Sequence, residues 1–307
     1  MRIGVIGAGS LGALFGGYLW ENGEDVYLYD VWEEHVDAIN DEGLYIERLG
    51  AEDMRVHPPA TTDPEEIGPV DVAFVFVKSN DTRTAMEGAS AMYDEETTLV
   101  TLQNGLTNYE VIQEFTADDR VLGGTTLIGS NMKGPAHVFQ DGLEGKTKLG
   151  GEDDEAADRV VEALRSAGFE DTHRVDDPIP HIWHKQITSV GVKPIAGLTG
   201  LMIGPISTYE PTQEVLRALI EEAVTVARAK GIEVISDDPV GDTIEHCRDN
   251  PEVMSSMLED VTKERKTEIE YINGAIVEYG EEEGIETPYN RAVTALIQGK
   301  EHSYLDQ

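Results

Sequence analysis

Short apolar runs alternate with longer segments of mixed polarity through the first half of the chain. Residues 1–6 form an apolar run that ends at Gly7, and a helix-like stretch follows through Trp20 and stops near Gly23. A second strand is expected over 25–30, carrying Val26, Tyr27, Leu28 and Tyr29. Residues 71–77 are nearly all apolar, the pattern of a strand buried on both faces of a parallel sheet. A similar run at 97–102 ends in Gln103-Asn104-Gly105, and helical stretches at 81–92 and 108–115 lie between the strands. Strands and helices alternating at this spacing predict βαβ units and a doubly wound parallel α/β sheet.

Past residue 120 the rhythm changes. Residues 121–128 and 137–140 read as strands rich in glycine turns, and 153–167 as an amphipathic helix. The turn signal Asp176-Asp177-Pro178 precedes a helical regime, with helices expected over 180–192, 211–230, 253–264, 267–283 and 289–300. The expectation is two domains: 1–176, an α/β domain, and 177–307, an all-α domain. A length of 307 residues agrees with that division, since one hydrophobic core rarely serves so long a chain.

Composition changes the picture at one point. The chain carries 60 acidic and 23 basic residues, a formal charge of −37. Such a surface repels phosphate backbones, so nucleic acid is not an expected partner. The acids recur along the whole length rather than in a block, and their mutual repulsion is mostly screened only near molar salt, where the Debye length is about 3 Å. A halophilic setting is the expectation. No apolar stretch of about 18 residues occurs and no basic leader precedes the first strand, so a cytoplasmic protein without membrane insertion is expected. The single Cys247 excludes an internal disulfide or a cysteine-built zinc site. His181 and His184 have HxxH spacing but no third ligand, and no metal is expected.

The chemistry begins at Gly7-Ala8-Gly9-Ser10-Leu11-Gly12, a GxGxxG motif after a strand and at the start of a helix. Gly7 permits the tight turn, Gly9 lets the backbone approach a pyrophosphate, and Gly12 allows close helix–strand packing. The helix N-terminus supplies N–H groups and partial positive charge. Asp30 ends the second strand, 18 positions after Gly12. There a carboxylate accepts from both ribose hydroxyls and repels a 2′-phosphate, and no Arg or Lys follows in Val31-Trp32-Glu33-Glu34. NAD(H) is the preferred cofactor, with NADP(H) the alternative. The competing reading of Asp30 is a cap for the next helix.

Ten of the 23 basic residues are lysines, so lysines beside apolar sequence stand out. Lys78 closes the strand at 71–77 and Asn104 closes the next, both at the carboxyl edge where such sheets bind ligands. The plainer readings are a snorkelling lysine and an Asn-Gly turn. Lys185, Ser189 and Lys193, spaced by four, fall on one helix face, and Ser256 and Glu268 are candidate inward-facing polar residues on later helices.

With these pieces assembled, the sequence resembles the ketopantoate reductase (2-dehydropantoate 2-reductase) family over essentially its whole length. The resemblance rests on GAGSLGALFGGYL, FVFVKS, TLQNG, WHK, SSML and KTEIEYINGAIVEYGEEEGIETPYN. It implies a Rossmann domain followed by a helical domain, and reduction of the 2-keto group of ketopantoate by a nicotinamide cofactor on the route to pantothenate and coenzyme A. It implies Lys185 as general acid on the ketone oxygen, Glu268 holding the substrate hydroxyl, Ser256 on the substrate carboxylate, and Lys78 and Asn104 between cofactor and substrate. Two positions depart: Ser189 and Lys193 stand where the family commonly has asparagines, with Pro194 retained. These touch substrate contacts, so a reductase of another branched 2-oxo acid or an opine-type dehydrogenase remains an alternative. A non-catalytic NAD-binding sensor is disfavoured by the intact set Lys185, Asn104, Ser256 and Glu268. Paired helical domains would make a homodimer.

Overall fold

A computed structural model describes residues 1–141 and 145–305. The strands are β1 Arg2–Ile6, β2 Asp25–Tyr29, β3 Leu44–Arg48, β4 Met54–Val56, β5 Ala60–Thr61, β6 Val72–Val75, β7 Thr98–Thr101, β8 Val121–Thr126, β9 Gly129–Gly134, β10 His137–Asp141, β11 Thr147–Gly150 and β12 Thr172–Arg174. The helices are α1 Ser10–Glu21, α2 Glu33–Glu42, α3 Thr82–Gly88, α4 Asn108–Gln113, α5 Asp154–Ser166, α6 Ile179–Thr199, α7 Ile203–Ile206, α8 Glu210–Ala229, α9 Pro239–Asp249, α10 Ser256–Thr262, α11 Ala275–Glu283 and α12 Pro288–Leu305. A π-helical turn, Glu270–Gly274, runs directly into α11.

The chain divides into two compact units. The first comprises Met1–Gln103 and Asn108–Pro178, the second Asn104–Thr107 and Ile179–Gln307. The division after Pro178 lies two residues beyond the expected one. It also differs in giving Asn104–Thr107 to the helical unit, where the Leu106 N–H donates to the Tyr271 carbonyl at 3.0 Å.

In the first unit an eight-stranded sheet has the order β12-β11-β8-β7-β6-β1-β2-β5, all neighbours parallel except β8 and β11. β6 and β7 are buried at every position, as their apolar and β-branched sequences require of central strands with both faces covered. From β1 the sheet grows outward to β2 on one side and to β6 on the other, so the connections reverse direction around β1. Doubly wound sheets bind ligands at the carboxyl ends beside such a reversal. Gly7 and Lys78 follow those two strand ends.

A second sheet, β4-β3-β10-β9, was not foreseen. Its strand β9 reads Gly-Ser-Asn-Met-Lys-Gly without a buried residue, so no apolar run announces it. Helix α1 packs tightly between the sheets: a Cβ on Gly16 would lie 2.6 Å from Leu28 Cδ2, and one on Gly17 would lie 2.7 Å from Ile46 Cδ1. Phe15 stacks on Phe169 at 4.3 Å between ring centroids, which extends the core toward α5.

Several helices differ from expectation for identifiable reasons. The helix expected over 81–92 shortens to α3, flanked by 3-10 turns. The one expected from 253 begins at Ser256, because the Ser255 hydroxyl accepts the Leu258 N–H at 3.2 Å and fixes the N-terminus there. α6 continues seven residues past the expected end at 192, through Pro194. Among the described residues, no helix is long and apolar enough to cross a membrane.

Candidate active site

The glycine-rich turn has the geometry its sequence implies. Gly7 sits at φ +91°, and its N–H donates to the Tyr29 carbonyl at 2.9 Å, tying the ends of β1 and β2 together. A Cβ there would fall 2.5 Å from Val77 Cγ1, so the position excludes side chains sterically as well as conformationally. At Gly12 a Cβ would lie 2.0 Å from the Gly7 carbonyl oxygen; only glycine lets α1 begin this close to the turn. Gly9 is different. A Cβ on it would meet nothing within 4 Å, and it caps α1 without any side-chain acceptor for the first-turn amides. Open space before uncapped amides suits a phosphate group. These residues therefore fit a dinucleotide, which Gly7, Ala8, Gly9, Ser10, Leu11 and Gly12 would hold.

Asp30 follows β2, and its Oδ1 accepts the Trp32 N–H at 3.0 Å. The helix-cap reading fails in its simple form: α2 starts with Trp32 at the N-cap and has no side-chain cap. Asp30 instead stabilises the turn before the helix, and its second oxygen has no hydrogen bond among the described residues.

Lys78 is half-buried after β6, and a buried polar network holds its segment. Gln103 Nε2 donates to the Val77 carbonyl at 2.6 Å and to Thr82 Oγ1 at 3.0 Å, while Gln103 Oε1 accepts from Thr101 Oγ1 at 2.9 Å. Thr82 in turn donates to Asn108, and Asn108 Nδ2 to Ser79 Oγ at 3.0 Å. Each polar group is satisfied, so the strand ends carrying Lys78 and Gln103 are rigid. Nothing in the sequence pattern marks Gln103, Thr82 or Asn108 for this role, because the network exists only once β6, α3 and α4 are assembled.

In the helical unit the spacing by four along α6 holds: Lys185 and Lys193 are half-buried and Ser189 is buried. Ser189 Oγ turns back toward the Lys185 carbonyl at 3.4 Å. The pKa of the Lys185 amine falls to about 7, lowered chiefly by burial and then by the like charge of Lys193, with Glu268 opposing both. Lys185 thus feels the charges of both Lys193 and Glu268. Asn104 belongs to the same unit, whereas Ser256 is exposed at the first turn of α10, next to the capping Ser255.

The backbone around this cluster is irregular and internally compensated. Pro194 has no N–H, so the Val190 carbonyl loses its helical donor. Asn273, inside the π turn, supplies the replacement: its Nδ2 donates to Val190 O at 3.0 Å and to Asn290 Oδ1 at 2.9 Å. Asn290 continues to Leu219 O at 3.2 Å and to Glu222 Oε2 at 2.7 Å, joining α6, α8 and α12. Glu268 lies just before the π turn, after Thr267, whose N–H donates to the buried Glu301 carboxylate at 2.6 Å. π turns recur at functional sites because the extra residue re-aims neighbouring side chains.

A family model described as Ketopantoate reductase PanE/ApbA matches residues 3–153, and its partner, Ketopantoate reductase PanE/ApbA C terminal, matches 178–301. The chain belongs to the ketopantoate reductase family. It is an oxidoreductase of that family along its whole length. It is 33% identical to a 2-dehydropantoate 2-reductase of Archaeoglobus fulgidus over 303 residues, covering 98% of each chain. With the 2-dehydropantoate 2-reductase of Pyrococcus abyssi it shares 34% identity over 307 residues at the same coverage. Among solved structures, a PanE/ApbA family ketopantoate reductase from Ralstonia eutropha JMP134 superposes with TM-score 0.90 at 27% identity, covering 99% of this chain and 100% of the other. A ternary structure of D-mandelate dehydrogenase with NADH and anilino(oxo)acetate gives the same TM-score and identity, covering 99% of both chains. Ketopantoate reductase family members of the solved set therefore share the α/β and helical domains described above.

Proposed function

We propose that the protein reduces a 2-oxo acid with NADH, that 2-dehydropantoate is its substrate and pantoate its product, and that Lys185 is the general acid. When bound, the nicotinamide supplies the hydride. The remaining work falls to the chain. Hydride addition turns a ketone oxygen into an alkoxide, and the Lys185 ammonium both stabilises that charge and donates the Nζ proton. Asn104, Ser189, Lys193 and Glu268 of the same unit are the candidate substrate contacts, Lys193 as a second cation for a carboxylate; Lys78 of the α/β unit and the exposed Ser256 are candidates on the family resemblance.

The observation that carries this reading is the Lys185 amine, held near neutrality by burial and Lys193 against the pull of Glu268. A general acid works best with a pKa close to the working pH. The protonated form is needed for reduction, so kcat/KM for the 2-oxo acid falls as pH rises through about 7. The reverse oxidation needs the neutral amine and rises through the same range. Lys193→Met removes the like charge and moves the limb to higher pH; Glu268→Gln moves it lower. A pH–rate profile of the three proteins checks the sign, and identical profiles would exclude Lys185 as the titrating group.

Asp30 supports NADH over NADPH, because its carboxylate would repel a 2′-phosphate and no compensating cation follows in the next four residues. A second substrate reading rests on the D-mandelate dehydrogenase likeness together with Ser189 and Lys193: an aromatic 2-oxo acid in place of 2-dehydropantoate. The decisive measurement is oxidation of NADH and NADPH in high salt with 2-dehydropantoate and phenylglyoxylate. Turnover of 2-dehydropantoate, faster in kcat/KM with NADH, is expected. Turnover of phenylglyoxylate alone selects the second reading, and a preference for NADPH overturns the role given to Asp30.

A further inference from the structure

His35 is fully buried on α2, yet its ring is engaged on three sides. Nδ1 accepts the Ala136 N–H at 2.9 Å, which fixes the tautomer and leaves the Nε2 proton for the Ala8 carbonyl, also at 2.9 Å. Burial keeps the ring neutral by lowering its pKa. Its donor is itself held: Ala136 occupies the left-handed region at φ +48°, and its carbonyl accepts the Tyr45 N–H at 2.8 Å. On the third side the ring stacks on Trp32 at 5.2 Å and 14°, and the His35 N–H donates to the Trp32 carbonyl at 3.0 Å.

The partner at Ala8 is what gives this arrangement a consequence. The carbonyl of Ala8 and the N–H of Gly9 belong to one planar peptide unit and point in opposite directions. Pinning the carbonyl to His35 pins the Gly9 amide at the opening of α1. Without the pin, that peptide can rotate and present a carbonyl oxygen where an anion needs a donor.

We propose that His35 is a positioning residue of the dinucleotide site, orienting the Ala8–Gly9 peptide for the phosphates and, through Trp32, linking that turn to Asp30. The proposal rests on the nicotinamide-cofactor reading above. Its test compares His35→Asn, which keeps an acceptor for Ala136 but cannot reach Ala8, with His35→Gln, which reaches Ala8. NADH affinity is measured by calorimetry, thermal midpoint by unfolding, and kcat and 2-oxo acid KM at saturating NADH. The expected result is an NADH Kd raised about tenfold in His35→Asn, equivalent to about 1.4 kcal/mol. In His35→Gln the Kd returns to within about threefold of the parent, the range of context dependence for one hydrogen bond. kcat and the 2-oxo acid KM stay unchanged in both. Parent-like NADH binding by His35→Asn overturns the proposal, as does equal weakening in both variants in step with a lost thermal midpoint. Failure of the unaltered protein to bind either NADH or NADPH overturns the cofactor reading itself, and the proposal with it.

Discussion

Lys185→Ala lowers kcat for 2-oxo acid reduction by about 10²–10⁴, the usual contribution of a positioned general acid, while NADH binding stays at the level of the unaltered protein. The two readouts separate because Lys185 lies on α6 in the helical unit, whereas the glycine-rich turn lies in the other unit. The stability outcome distinguishes a chemical from a structural role. A lysine whose folded pKa is about 7, against 10.5 in a model peptide, binds its proton less tightly when folded. The resulting penalty on the folded state is fully present below about pH 7 and is relieved as pH rises toward 10.5. Removing the amine at pH 6 therefore leaves the thermal midpoint unchanged or raised. The alanine variant also loses the pH limb near neutrality. A variant that turns over at near-normal rate, or that retains the limb, rules out Lys185 as the acid.

Gly12→Ala combines a fold defect with a cofactor defect, and Gly9→Ala separates them. At position 12 the new methyl group would stand 2.0 Å from a backbone oxygen, a clash that no rotamer change relieves. Either the turn or the first turn of α1 must shift, at about 1–3 kcal/mol, the usual penalty for overpacking. The shifted amides no longer converge, and NADH affinity falls by about tenfold or more, at about 1.4 kcal/mol per decade. At position 9 the backbone has φ −61°, which alanine accepts, and the methyl group would enter open space. Gly9→Ala should therefore keep its thermal midpoint and still bind NADH weakly, since that space is where the phosphates approach. Calorimetry and thermal unfolding on the two proteins check the contrast. If Gly9→Ala binds NADH normally, the cradle lies elsewhere.

What could be read in the sequence follows from where each signal resides. β6 and β7 were visible because strands covered on both faces must be apolar throughout, and the glycines at 7 and 12 because backbone sterics admit nothing else. Lys185, Ser189 and Lys193 were placed on one helix face by spacing alone. The second sheet escaped because β3, β4 and β9 are only partly buried, so that their stability comes from neighbours rather than from their own pattern. The end of α6 was missed because Pro194 normally stops a helix, and here a side chain from another element replaces the lost donor. His35, Gln103 and Asn273 carried no signal for the same reason. A polar residue acquires a purpose only from partners distant in sequence, and a lone histidine in the His35-Val36-Ile39 face of α2 reads as packing.

The proline in α6 also orders events in time. Its orphaned carbonyl at Val190 waits for an amide 83 residues downstream. During synthesis, the last turns of α6 can therefore reach their final hydrogen bonding only after the segment bearing Asn273 has emerged and wound into its π turn. The turn around Lys193, immediately ahead of that proline, therefore completes its hydrogen bonding only once residue 273 has been made.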